Sequence, residues 1–115
     1  MAKYEPDLSL IFQALSDPTR RAMLAQLGTG ALPVTTLARP TGLALPTVMR
    51  HLAVLEAAQL ISTCKTGRTR LCSPRPETLA ATASWLADQR AHWEARTDRL
   101  EEFLTTLKDD EDAPV

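Results

Sequence analysis

The stretch LALPTVMRHLAVLEAAQLI has the apolar spacing of a short helix, yet its outer face carries Thr47, Met49, Arg50 and His51. An arginine with its fixed fork of donors and a threonine hydroxyl are side chains that hydrogen-bond to base edges. Soon after comes KTGRTR, where Lys65, Arg68 and Arg70 surround turn chemistry. Long cations in such a loop suit phosphate oxygens or a minor groove. Arg20 and Arg21 in DPTRR add two further cations to the candidate set.

The charge distribution points the same way. From Pro18 to Pro76 eight basic side chains stand against one acid, Glu56, a net of +7. Residues 1–17 carry −2 and residues 77–115 carry −6, which brings the whole chain to −1. A solvated face usually mixes both signs, so so one-sided a segment implies a polyanionic partner. The competing explanation is pairing within the molecule, against acids on the C-terminal helix.

Positioning these side chains requires several helices. DLSLIFQAL carries Leu8, Ile11, Phe12 and Leu15 at helical spacing behind Asp7 as cap. SDPTRRAMLAQLG opens with Asp17 as cap and Pro18 at the first helical position, and Gly28 offers a left-handed stop. A short helix over Val34 to Arg39 ends at Pro40 and Gly42. In the next helix Leu45, Val48, Leu52 and Leu55 fall on one face. ISTCK and TRLCS flank Thr66-Gly67 as a β-hairpin. Two short helices joined by a tight PTG turn, with a basic hairpin behind them, predict a winged helix-turn-helix. The fold class is mainly α with a small β-hairpin.

FQALSDPTRRAMLAQL, VTTLARPTGLALPTVMRHLAVLEAAQLI and KTGRTR together resemble the ArsR/SmtB family of bacterial winged-helix repressors. The resemblance runs from about Leu8 to Leu107, with DPTR and HLAVLEAAQLI its most specific parts. It implies a homodimeric transcriptional regulator on a palindromic, double-stranded DNA operator, usually repressing, with first and last helices as the dimer interface. DNA-binding roles then fall on Thr47, Met49, Arg50, Lys65, Arg68, Arg70, Arg20 and Arg21, and His51 is a structural residue. Three positions depart from the family's pattern. Gln59 stands where glycine is usual, Ala44 where a small hydroxyl residue often caps the recognition helix, and Met49-Arg50 where Ser-Arg or Ser-Gln often precedes the histidine.

The founding members sense metals, but the stretch TTLARPTG that corresponds to their thiolate site has no Cys, His or Asp. Asp88 and His92 have the i,i+4 spacing of the other family site, with no second His after them. They read more simply as a helix-surface pair, so no metal and no cofactor is expected. Cys64 and Cys72, on neighbouring strands but not opposite each other, read as small apolar fillers, with a redox switch as the alternative. An effector of unstated chemistry is left open as a partner.

From Glu77 to Leu107 there is neither Pro nor Gly. Leu79, Ala83, Leu86, Arg90, Trp93, Thr97, Leu100, Leu104 and Leu107 alternate spacings of four and three, a coiled-coil-like seam. A helix of that length spans ~46 Å, whereas a compact domain of this size has a radius of gyration of only ~13 Å. A second copy is therefore expected to cover the seam. Leu8, Ile11 and Phe12 would join Leu86, Trp93, Leu100 and Leu104 in the interface.

The 115 residues are expected to form a single domain over 1–107, followed by an acidic flexible tail over 108–115. No run approaches a membrane span and MAKYEPDLSL has no secretory pattern, so a cytoplasmic protein is expected. No nucleophile–base arrangement, phosphate-cradling glycine loop or carboxylate pair can be assembled, which argues against an enzyme. The remaining alternative is a winged-helix protein-interaction module without DNA binding.

Overall fold

Asp7 and Asp17 start the first two helices in the computed structural model, which describes residues 6–111. In α1 (Leu8–Leu15) the Asp7 carboxylate accepts the Leu10 N–H at 3.2 Å. In α2 (Pro18–Gln26) the Asp17 carboxylate accepts the N–H groups of Thr19 at 2.8 Å and Arg20 at 3.2 Å. Pro18 occupies the first turn, where its missing N–H leaves no gap. The stop differs from expectation. A tight 3-10 turn, Leu27–Thr29, carries the fully buried Leu27 into the core, and the left-handed residue is Gly30 (φ 128°) rather than Gly28.

A two-residue strand, β1 (Leu32–Pro33), precedes α3 (Val34–Ala38). Arg39, expected in α3, instead opens the 3-10 turn Arg39–Thr41, because Pro40 supplies no N–H to continue the helix. Gly42 then reverses the chain at φ 65°. α4 (Leu45–Ala57) has Ala44 as its uncapped N-terminal neighbour. Thr41 stiffens the turn ahead of it, its hydroxyl donating to the Ala38 carbonyl at 2.6 Å and accepting the Leu43 N–H at 3.1 Å.

α4 ends in a left-handed residue, Gln59 at φ 61°, the one positive-φ residue other than glycine among those described. The Leu60 N–H returns to the Leu55 carbonyl at 3.0 Å, and the Gln59 carbonyl accepts the buried Thr78 hydroxyl at 2.5 Å. The chain then enters β2 (Ile61–Thr66) and β3 (Thr69–Pro74), antiparallel, with Thr66 opposite Thr69. The turn is therefore Gly67-Arg68, one residue later than expected. Gly67 takes φ 61° at its first central position, which a II′ hairpin turn requires. β1 pairs with the outer side of β3, so the sheet has three strands in the order β1-β3-β2.

α5 runs over Pro76–Glu111, beginning one residue before and ending four after the expected span. The expected tail thus starts in helix, and residues 112–115 lie outside the described residues. The described residues fall into two compact units, one reaching to Thr82 and one starting at Ala83. No helix among them is long and apolar enough to cross a membrane.

The core lies in the first unit, where Met23, Leu37, Val48, Leu52, Leu55 and Ile61 are all buried. Two expectations are corrected here. Ile11, grouped with the dimer surface, is 0% exposed and belongs to this core. Leu45, aligned by periodicity with Val48 and Leu52, is 55% exposed, because it starts the helix ahead of the turn that meets the core.

Candidate nucleic-acid interface

Burial of Val48, Leu52 and Leu55 turns the other side of α4 outward. Arg50 is exposed there, and Thr47 and Met49 are half-buried at its flanks. A groove of about 300 Å³ brings this helix together with the hairpin, lined by Pro33, Leu45 and Met49 and by the cationic Lys65, Arg68 and Arg70. Lys65 stands opposite Arg70 in the strand register, and Arg68 sits in the turn. Lys65 and Arg68 are exposed. Arg70 is half-buried and donates to the Thr63 hydroxyl at 3.1 Å, which donates to the Glu56 carboxylate at 3.0 Å. This chain braces the hairpin against the end of α4. Sequence reasoning missed Thr63 and Glu56, since only the strand register sets Thr63 beside Arg70 and only the packing of β2 on the end of α4 sets Glu56 beside Thr63.

Arg20 and Arg21 are placed differently from the other cations. The Arg20 guanidinium donates to the carbonyls of Ala14 at 2.8 Å and Gln13 at 3.0 Å, and lies 3.2 Å from His51 Nδ1. Arg21 donates to the Leu15 carbonyl at 2.7 Å. Both therefore satisfy the open carbonyls at the end of α1. An arginine nitrogen can only donate, so His51 Nδ1 is the acceptor of this contact. Arg20 thus joins α1, α2 and α4, and His51 holds the structural position expected of it.

Local fields fit this framework. The Arg20 N–H, with that of Thr19 and against some desolvation, holds the Asp17 carboxyl below the usual carboxylate value. Its own N–H at the start of α5, helped by Arg75, does the same for Glu77, whose carboxylate lies 2.9 Å from the Arg75 Nε. Burial pushes the Cys72 thiol up, Glu56 adds to the rise and Arg70 opposes it. Cys64 faces Leu71 in the register, whereas Cys72 faces Thr63. Side chains alternate along a strand, so the two thiols lie on opposite faces, Cys64 exposed and Cys72 buried.

In the second unit, Leu86, Trp93, Leu100 and Leu104 are all exposed, Trp93 most at 71%. Arg90 on the same seam pairs with Glu94 at 2.8 Å, and the Thr97 hydroxyl donates to the Trp93 carbonyl at 3.0 Å. His92 Nδ1 lies 2.8 Å from the backbone carbonyl of Asp88, not its carboxylate. Among the described residues no three His, Cys, Asp or Glu side chains are grouped to hold a metal ion.

Comparison with known proteins agrees with this architecture. A helix-turn-helix domain family matches residues 15–64. The HTH-type transcriptional regulator Rv2034 of Mycobacterium tuberculosis is 41% identical over 70 residues, which span 61% of this chain and 65% of that protein. The alignment thus covers a little under two thirds of that relative's length. The transcriptional repressor SdpR of Bacillus subtilis is 30% identical over 76 residues, 66% of this chain and 84% of the repressor. A crystal structure of an ArsR family transcriptional regulator superposes with a TM-score of 0.74 at 47% identity, covering 82% of this chain and 97% of that one. The chain belongs to the ArsR family of winged helix-turn-helix proteins, DNA-binding transcriptional regulators rather than enzymes.

Proposed function

We propose that the chain is a homodimeric cytoplasmic repressor in which α4 reads a palindromic operator and the hairpin holds its backbone. The observation that carries this reading is the shared groove, where the outward side of α4 meets Lys65 and Arg68 with no acid between them. In this reading Thr47, Met49 and Arg50 meet base edges, Lys65 and Arg68 neutralise phosphates, and Arg70 divides its charge between phosphate and the Thr63 brace. Arg20 and Arg21 position α1 and α4 and contact DNA little.

Dimerisation is supported by the uncovered apolar seam of α5, since Trp93, Leu100 and Leu104 in water are costly and a second copy offers the same stripe. Leu8, Leu10 and Phe12 of α1 contribute to the same pairing. The test is light scattering combined with selection of bound sequences from random DNA. The intact chain should have the mass of two protomers and select an inverted repeat with half-sites one helical turn apart or a multiple of it. Trp93→Asp should give a helical monomer that no longer retains the repeat. A monomeric intact chain, or selection of no sequence, overturns the proposal.

A further inference from the structure

The end of α4 that would enter a major groove is unusually apolar. Leu43, Ala44, Leu45 and Pro46 are all exposed, Leu43 by 40% and Leu45 by 55%. Four consecutive exposed apolar residues contribute nothing to the core and are unfavourable in water unless they serve a contact. Between Leu43 and Arg50 the side chains able to hydrogen-bond are Thr47 and Arg50 alone. Direct readout of bases by this end must therefore be largely apolar.

The major groove presents one apolar recognition feature, the 5-methyl group of thymine, which distinguishes a T·A pair from the other three. Resting on the reading of α4 proposed above, we infer that Leu45 reads one thymine methyl group in each half-site. Leu45 precedes Arg50 by five residues, about 7.5 Å along the helix and about 140° around it, so the two side chains meet different base pairs of the half-site. Arg50 supplies the hydrogen bonds of the half-site and Leu45 its shape.

The test uses the duplex selected by the full-length chain and a copy with deoxyuridine in place of the half-site thymines, which removes only the methyl groups. The intact protein should bind the uridine duplex about fourfold more weakly per half-site, the worth of one buried methyl group. Leu45→Ala, at an exposed position, should bind both duplexes alike, and Leu45→Met should restore the difference. Equal binding of both duplexes by the intact protein overturns the inference while leaving α4 as the reading helix. A difference that survives Leu45→Ala overturns it as well, by assigning the methyl contact to another side chain. Failure to select any duplex removes both this inference and the proposed function.

Discussion

At the scale of single residues, two backbone positions make opposite contributions. Asp17 accepts two N–H groups at the start of α2, and its pKa lies below the ordinary 3.8. Its ionised form is favoured by folding, so its contribution is complete above that ordinary value and is lost as pH falls through the lowered pKa. Acid titration followed by circular dichroism should show Asp17→Asn losing stability less steeply below about pH 4 than the parent. Gln59 works against the fold. A side chain in the left-handed region costs about 1–2 kcal/mol, while glycine's extra chain entropy gives back roughly 0.5–1 kcal/mol. Gln59→Gly should therefore stabilise by about 0.5–1 kcal/mol, read as a raised urea midpoint with unchanged slope. Both positions were legible in the sequence, Asp17 from its Pro18 neighbour and Gln59 because the resembled family has glycine there. Arg20 was not. Charge counting groups it with cations seeking phosphate, and only the folded chain shows it spent on the carbonyls of Ala14 and Gln13.

At the scale of elements, that arginine adds a polar tie to the buried leucines and valine that seat α4 in the first unit. It spans α1, α2 and α4 through a planar fork that a lysine ammonium does not reproduce. Arg20→Ala should destabilise the chain by roughly 2–3 kcal/mol, and Arg20→Lys should recover little of it. Measured where each variant is still folded, the salt dependence of DNA binding should be unchanged; a flattened slope would return Arg20 to the phosphate contacts. Helix starts, the helix-turn-helix and the hairpin were all legible, because caps, prolines and the II′ glycine act over a few residues. β1 was not, since two residues carry no period and exist as strand only through pairing with β3. Leu45 was misassigned for a related reason. A 3.6-residue period places it in line with Val48, but whether core lies opposite the first turn is decided by tertiary packing.

At the scale of the whole molecule, the proposed function divides labour between a helix that reads and a hairpin that holds. The near-neutral net charge hides it, because thirteen of the fourteen acids sit outside the segment that carries eight of the thirteen cations. If Lys65, Arg68 and Arg70 of two protomers neutralise ~5–6 phosphates, log affinity should fall with log salt at a slope of about −5. The most direct measurement is a salt titration of three proteins against the selected operator and a scrambled duplex. Lys65→Ala with Arg68→Ala removes up to four contacts per dimer and should flatten the slope by ~3–4 units, leaving the preference for operator nearly unchanged. Arg50→Ala should cost about 1–3 kcal/mol per half-site on the operator and little on the scrambled duplex. Equal weakening of both duplexes by Arg50→Ala, with specificity lost instead in the hairpin variant, would contradict the division.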